Sequence, residues 1–208
     1  MARANAIYFH SRLNNNISKS IDKMTKTIAV DIGNVSIRIS PPAFANAVGI
    51  PVEKLEDYKE FELQYERGEV SDEEFFCTMR EQFPNFTDEQ LRDAFDAGLL
   101  EPVPGMENLL EKLAANGVKV VFLSDISPAH LAGFRRRFRN ADKYDGVYSF
   151  LVGGLKPSDK MFRTFEERYG KPFVYVDDRA ELIEVARARG WNAQVFQGAE
   201  WLEKLVLG

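Results

Sequence analysis

The chain has 208 residues and a formal charge of -5 at pH 7, with 45% hydrophobic and 28% charged residues. These values are typical of a globular protein with one domain, or a core with a modest insert. No apolar run approaches the roughly 20 residues that span a bilayer, which excludes an integral membrane protein. The single cysteine and two histidines exclude an intrachain disulfide, a cysteine-based zinc site and a histidine-rich metal site. The acidic balance argues against nucleic-acid binding. We expect a cytoplasmic monomer or homodimer.

Residues 1–23 differ from the rest of the chain. They carry four basic residues against one acidic residue, are rich in Asn and Ser, and lack a sustained hydrophobic period. No stretch resembles the apolar segment of a secretory signal peptide. We expect a disordered leader, with a transit peptide and a natural start at Met24 as alternatives.

The first predicted element is a buried strand over residues 27–30, an apolar run that ends at Asp31 before a Gly-Asn pair. Residues 51–100 contain no convincing strand and carry two helix-start signals. Ser71 with Glu74, and Thr87 with Gln90, match the capping-box pattern. Aromatic and aliphatic residues are spaced to give these helices apolar faces. We therefore predict a small all-helical cap over residues 43–100, inserted after the first strand.

From residue 104 onward, strands and helices alternate. The expected helices are 104–116, 128–138, 158–169 and 181–189, and the expected strands are 118–123, 147–152, 173–176 and 193–196. Unbroken apolar strands between helices indicate a parallel sheet covered on both faces. The predicted fold is thus an α/β, three-layer, Rossmann-like core formed by residues 24–42 and 101–208.

Polar residues follow the predicted strands where such a sheet binds ligands. Asp31, Ser124-Asp125 and Asp177-Asp178 each stand at a strand end, and Lys156 lies in the loop after the weakest strand. Carboxylates can bind Mg²⁺, a lysine can neutralise phosphate charge, and one carboxylate can attack phosphorus. The set suits phosphoryl transfer.

Each of these residues also has an ordinary structural interpretation. Asp31 alone is typical of a turn, Ser124 of a helix cap, and Lys156 of a solvated loop. The adjacent carboxylates of Asp177 and Asp178 are harder to dismiss, because they repel each other and only one can cap a helix. Four such sites in this order along the chain favour a shared functional site over four separate structural roles.

Four segments and their order resemble the haloacid dehalogenase-like hydrolases, and in particular the small sugar-phosphate phosphatases whose first motif is DxGNV. The segments are 30–35 (VDIGNV), 122–125 (FLSD), 154–157 (GLKP) and 176–178 (VDD). Residues 65–71 (YERGEVS) are similar to the helical cap of that group. The resemblance covers roughly residues 26–205.

The resemblance implies a role for each matched position. Asp31 would be the nucleophile that becomes an aspartyl-phosphate, and also a Mg²⁺ ligand. The Gly33 carbonyl would be a second ligand, Asp178 would bind the metal directly, and Asp177 would lie in or just behind the ligand set. A phosphate site would comprise Ser124, Asp125 and the backbone that follows. Lys156 would offset the charge of Asp31 and phosphate, so it counts as both catalytic and phosphate-binding.

Two positions depart from the family pattern. Gly33 stands where the family's phosphatases commonly have a second Asp as general acid and base, although similar DxGNV members share the glycine. Losing such a group typically costs about 10²–10⁴-fold in rate. Asp125 stands where an Asn is common, and an ionised Asp cannot donate to phosphate. Either Asp125 is protonated or turned away, or phosphate binding has degenerated.

Three alternative functions are compatible with this set of residues. The first is a Mg²⁺-dependent phosphatase that hydrolyses a small phosphorylated metabolite, with a sugar phosphate as one candidate. The second is a metal-independent haloacid-type dehalogenase that also uses Asp31, which Gly33 permits and the Asp177-Asp178 pair disfavours. The third is a non-catalytic protein that binds a phosphorylated ligand, as Gly33 and Asp125 would allow.

Overall fold

The computed structural model describes residues 26–208, so the expected leader over 1–23 lies outside the described residues. Five parallel strands form one sheet in the order β5-β4-β1-β6-β7. These strands are β1 (Thr27–Val30), β4 (Lys119–Ser124), β5 (Asp145–Tyr148), β6 (Val174–Asp177) and β7 (Ala193–Val195). A separate antiparallel pair joins β2 (Ile37–Ile39) to β3 (Leu99–Pro102).

The helices fall into two groups. Those between β2 and β3 are α1 (Pro41–Val48), α2 (Glu56–Glu66), α3 (Asp72–Gln82) and α4 (Asp88–Asp96), with a 3₁₀ turn at Val52–Leu55. Those that follow β3 are α5 (Met106–Ala115), α6 (Pro128–Arg137), α7 (Ser149–Val152), α8 (Asp159–Tyr169), α9 (Ala180–Ala188) and α10 (Ala199–Leu207). A 3₁₀ turn at Ala141–Lys143 precedes β5.

The sheet is buried on both faces, which confirms the predicted three-layer α/β fold. Alternate residues of β1 face opposite ways: Ile28 and Val30 join one apolar cluster, and Ala29 joins the other. The first cluster includes residues of α5, α6 and α10, and the second includes residues of α8 and α9. Burial on both sides explains why these strands are apolar without alternation.

Three details differ from the sequence prediction. The short β2–β3 pair was not expected, since Glu101 and Pro102 are unfavourable strand residues. The strand expected over 147–152 ends at Tyr148, where α7 begins, because the buried Ser149 hydroxyl is held by the backbone of Ile126. The final helix α10 was also not predicted. It packs Leu202 and Val206 against the first cluster.

Helices α1–α4, the helical insert, have an aromatic core of their own. Tyr65, Phe75 and Phe95 are buried there among other apolar side chains of the insert. Both predicted capping boxes are confirmed at the starts of α3 and α4. In each box, two side chains accept hydrogen bonds from two backbone N–H groups at the start of the helix. These bonds fix where the short helices begin.

Gly68 allows the insert to approach the sheet domain closely. Its backbone has a φ of 70°, and a Cβ built there would lie 2.2 Å from the carbonyl oxygen of Phe150. Any other residue would clash with that backbone and adopt a strained conformation. Within residues 26–208, no helix is long and apolar enough to cross a membrane.

Candidate active site

The site lies at the carboxyl end of β1, where the strand order reverses. β1 pairs with β4 on one side and β6 on the other, so the chain builds outward in both directions from it. Val30 is in register with Phe122 and with Val176. The residues that follow in β1, β4 and β6 therefore lie side by side at one edge of the sheet, which brings Asp31 beside Leu123 and Asp177. Such switch points are where open α/β sheets bind ligands.

Lys156 occupies the centre of this edge. Its Nζ donates to Asp31 Oδ1 at 2.8 Å, to Asp177 Oδ2 at 2.6 Å and to the Leu123 carbonyl at 3.1 Å. All three donors of the ammonium group are used, and its side chain is fully buried. A loop between α7 and α8 thus supplies the cation that holds the two strand-end carboxylates together.

The buried charges shift one another's pKa values. Burial raises the pKa of Asp31, and the pull of Lys156 only partly opposes it. Burial also acts to raise the pKa of Asp177, but Lys156 and the Tyr175 hydroxyl outweigh it, and this pKa is lowered. Burial would lower the pKa of Lys156, but the carboxylates outweigh it and hold that pKa well above its usual range. The lysine is therefore charged, and Asp31 is the carboxylate that lacks full compensation.

The donor set fits a divalent cation. Carboxylate oxygens of Asp31, Asp177 and Asp178 lie within 4.8 Å of one another. Asp178 is the least buried of the three, and its Oδ2 accepts a hydrogen bond from the Asn34 amide at 3.0 Å. Hard oxygen donors in such a group suit Mg²⁺.

The three carboxylates are not equally available to a cation. Asp177 Oδ2 already accepts from Lys156 and from the Tyr175 hydroxyl at 2.5 Å, and its Oδ1 accepts from the Arg179 backbone at 3.0 Å. Asp31 and Asp178 each retain an oxygen without these bonds. The arrangement favours Asp31 and Asp178 as direct ligands, with Asp177 positioning Lys156.

Ser124 and Asp125 continue from β4 toward the same cleft. Ser124 is buried, and its hydroxyl contacts the Asp125 carbonyl at 3.3 Å. Asp125 is turned to protein partners: Oδ1 accepts from the Lys156 backbone at 2.7 Å, and Oδ2 accepts from Arg179 at 2.9 Å. This geometry matches the "turned away" alternative, since the Arg179 guanidinium offsets the charge that would repel phosphate.

Arg179 was missed by the sequence analysis, although it directly follows the Asp177-Asp178 pair. It forms ion pairs with Asp125 at 2.9 Å and with Asp177 at 3.7 Å. Burial would lower its pKa, but hydrogen bonding to Asp125 outweighs this and raises it. Arg179 adds a second fixed cation to an edge that would otherwise be strongly anionic.

A cavity of about 410 Å³ opens from this edge toward the helical insert. Gly33, Ser124 and Asp125 form its inner end. Its walls are mostly apolar, from both the insert and the core: Ile32, Ile39, Pro41, Phe44, Leu55, Tyr58, Phe61, Phe75, Met79, Phe95, Leu99 and Ile126. A largely apolar pocket with a few polar groups at one end is the usual form of a small-molecule site.

Glu62, Glu66 and His130 face this cavity and were not predicted as site residues. One ligand atom of each lies within 4.8 Å of the others, and all three are half-buried. Burial, aided by Glu62, Asp125 and Asp31, raises the pKa of Glu66 to about 8. Burial also raises the pKa of Glu62 and lowers that of His130. The spacing of 62 and 66 on one helix face could have signalled them.

The fold and this edge define an α/β protein with a carboxylate cluster where the strand order reverses. The family profile of the haloacid dehalogenase-like hydrolases matches residues 18–190. The chain belongs to this family, which confirms the resemblance of its four motifs.

Several relatives are similar to the chain. A sesquiterpene phosphatase of Aspergillus oryzae is 23% identical over 133 residues, covering 61% of this chain and 67% of that protein. A haloacid dehalogenase family enzyme of Bacteroides thetaiotaomicron, solved with magnesium and inorganic phosphate, is 21% identical with a TM-score of 0.72. That match covers 84% of this chain and 95% of the other.

A more distant structure represents the dehalogenase alternative. The L-2-haloacid dehalogenase of Xanthobacter autotrophicus, solved with chloropropionic acid covalently bound, is 19% identical with a TM-score of 0.58. The match covers 82% of this chain and 76% of that enzyme. At these identities, the structural matches establish the shared fold.

Proposed function

We propose that this protein is a Mg²⁺-dependent phosphatase that hydrolyses small phosphate monoesters through an aspartyl-phosphate on Asp31. The carrying observation is that carboxylate oxygens of Asp31, Asp177 and Asp178 lie within 4.8 Å of one another, with the fully buried ammonium group of Lys156 bonded to the first two. A metal-independent ester intermediate on Asp31 would not require a third carboxylate at this edge. With Asp125, this edge carries four carboxylates against two cations, Lys156 and Arg179, which leaves negative charge for a metal ion to balance.

The side chains divide the chemistry among them. Asp31 attacks phosphorus and, with Asp178 and the Gly33 carbonyl, would hold the metal ion. When bound, Mg²⁺ supplies positive charge that keeps Asp31 ionised and offsets phosphate charge. Lys156 orients Asp31 through its 2.8 Å hydrogen bond, and Asp177 fixes Lys156. Ser124 and the following backbone would donate to the phosphate oxygens.

The helical insert, taken as the cap of the active site, would cover the intermediate and limit the access of water. Its aromatic walls support an apolar organic group on the substrate rather than a sugar. Sugar hydroxyl groups placed against Phe44, Phe61 and Phe95 would lose hydrogen bonds to water, at about 1–3 kcal/mol each. One relative is named a sesquiterpene phosphatase. Because terpenes are apolar, that name is consistent with this proposal.

The test is phosphate release from paired esters that share a carbon count. Hexyl phosphate and a hexose phosphate would be incubated with wild-type protein, with Mg²⁺ or with a chelator. We expect metal-dependent release, faster from hexyl phosphate, and loss of release in Asp31→Asn. Asp142→Asn is the matched control, since it removes an exposed carboxylate that pairs with Arg135 on the 3₁₀ turn before β5.

The outcomes separate the candidate functions. Release of halide from a 2-haloacid that persists in chelator would establish the dehalogenase instead. Binding of the esters by folded protein without any release would establish the non-catalytic binding protein. Release that survives Asp31→Asn unchanged would contradict the proposed nucleophile.

A further inference from the structure

Ester cleavage needs a proton donor that the first motif does not supply. When Asp31 attacks phosphorus, the bond to the ester oxygen breaks and its electron pair stays on that oxygen. An aliphatic alkoxide is a poor leaving group unless it is protonated as it departs, and a positioned acid typically contributes about 10²–10⁴-fold. Gly33 has no side chain to do this. The donor must come from another group that faces the cavity.

Glu66 is placed for this role. It ends α2, so the helical insert presents it to the cavity whose inner end is formed by Gly33, Ser124 and Asp125. Phosphate at Asp31 and an organic group against the aromatic walls would place the ester oxygen between those two regions. Glu66 lines the same cavity as both regions, and Asp125 and Asp31 are near enough to act on its pKa. Within residues 26–208, its carboxyl group forms no hydrogen bond or ion pair, so it is available to a ligand.

The other acids of the cavity are bonded elsewhere or less influenced by the reacting edge. Glu56 is exposed and pairs with Lys59 at 3.3 Å. Asp125 has both oxygens bonded, to Lys156 and to Arg179. His130 Nε2 lies 3.1 Å from the Phe95 carbonyl, and its ring stacks on Phe95 at 4.0 Å. Glu62 stands one helical turn before Glu66 on α2; burial raises its pKa, without the influence of Asp125 and Asp31 that acts on Glu66.

We propose that Glu66 is the general acid and base of this phosphatase, supplied by the helical insert in place of the aspartate missing at position 33. The inference rests on the proposed function. In the first step, the Glu66 carboxyl group gives its proton to the departing ester oxygen and the alcohol leaves. In the second, water attacks the aspartyl-phosphate, the phosphorus bond to Asp31 breaks, and the Glu66 carboxylate takes the water's proton.

The surroundings of Glu66 keep it protonated before the first step. Burial is the largest cause that raises its pKa to about 8. The groups around it are Glu62 on its own helix, His130 on α6, and Asp31, Asp125 and Arg179 on the core. Of these, the three carboxylates raise its pKa and Arg179 lowers it. At neutral pH the residue is therefore a proton donor, as the first step requires.

Two esters separate proton donation from every other role. An alkyl phosphate requires protonation of its leaving alcohol, whereas the acidic phenol of p-nitrophenyl phosphate leaves unaided. In Glu66→Gln we expect turnover of the alkyl phosphate to fall about 10²–10⁴-fold. The first-turnover burst of nitrophenol should persist within about threefold of wild type, followed by slow turnover because the base is also missing.

The pH profile gives an independent measurement. Wild-type kcat for the alkyl phosphate should fall as pH rises through about 8, where Glu66 loses its proton. That fall should be absent in Glu66→Gln. Glu60→Gln is the matched control, an exposed carboxylate on the same helix that pairs with Arg67, and its activity should be unchanged.

A second variant restores the acid at its missing position. A Cβ at Gly33 would meet only Ile39, at 3.6 Å, an ordinary contact. Gly33→Asp in the Glu66→Gln background should recover at least tenfold of the lost alkyl-phosphate turnover. Wild-type alkyl-phosphate turnover in Glu66→Gln would overturn the proposal, and so would equal loss of the burst and of turnover. No release by wild type would instead refute the proposed phosphatase.

Discussion

Replacing Lys156 by methionine tests how strongly one cation holds the candidate active site together. The substitution keeps the length of the side chain but removes bonds of 2.8 Å to Asp31 and 2.6 Å to Asp177. Two buried carboxylates then face each other, and Arg179, at 3.7 Å from Asp177, offsets them only in part. Removing one partner of a buried ion pair typically costs about 3–5 kcal/mol. Domains have about 5–15 kcal/mol of stability, so the variant should fold but be marginal.

Thermal unfolding in a chelating buffer measures this cost. At this chain length, about 3–5 kcal/mol corresponds to a fall in Tm of roughly 6–20 °C. Lys160→Met is the matched control: within residues 26–208 that exposed lysine donates only to the Gly153 carbonyl, and its loss should change stability by less than about 0.5 kcal/mol. Adding Asp177→Asn removes one of these two buried charges. The double variant should therefore lose at least about 1 kcal/mol less than the sum of the single variants. Additive losses, or a Lys156→Met cost below about 1 kcal/mol, would refute the reasoning.

Three further predictions concern the helical insert. Tyr65→Phe should cost about 1–3 kcal/mol in unfolding experiments, since the Tyr65 hydroxyl accepts from the Ala129 backbone at 3.2 Å and donates to Asp72; no loss would show that these bonds do not fasten the insert. Phe61→Ala should raise KM for hexyl phosphate roughly tenfold, by loss of about 1.5 kcal/mol of apolar contact, and an unchanged KM would place the organic group elsewhere. Glu66→Gln should stabilise the protein in a pH-dependent way. The pKa of Glu66 is about 8 when folded and 4.5 ordinarily, so the folded state binds the extra proton between these values and wild-type stability falls as pH rises. At about 1.4 kcal/mol per pKa unit, the gain in free energy of unfolding should thus be below about 1 kcal/mol at about pH 5 and on the order of 4 kcal/mol at about pH 8, and an equal gain at both would contradict the raised pKa.

The core of the site was predictable because apolar runs define buried strands, and the first polar residue after each run marks the functional edge. Asp31, Ser124 and Asp177 were found in this way. Lys156 follows no such rule, since helix α7 and the loop after it separate it from β5. Its prediction depended on the family motif rather than on periodicity.

Residues of the helical insert could not be placed by the same reasoning. Glu66 and His130 are 64 positions apart on different helices, and only the packing of the insert on α6 brings them together. Local patterns carry no information on such an approach. The β2–β3 pair was missed for a similar reason: strands of three and four residues depend on their partner rather than on their own propensity.

Acid quenching during turnover tests the central claim most directly. Wild-type protein, Mg²⁺ and hexyl phosphate would be mixed, quenched in acid, digested and mapped by mass spectrometry. We predict one phosphoryl group on the peptide that contains Asp31, and none in Asp31→Asn. Phosphate release by wild-type protein without a phosphoryl group on Asp31 would contradict the account.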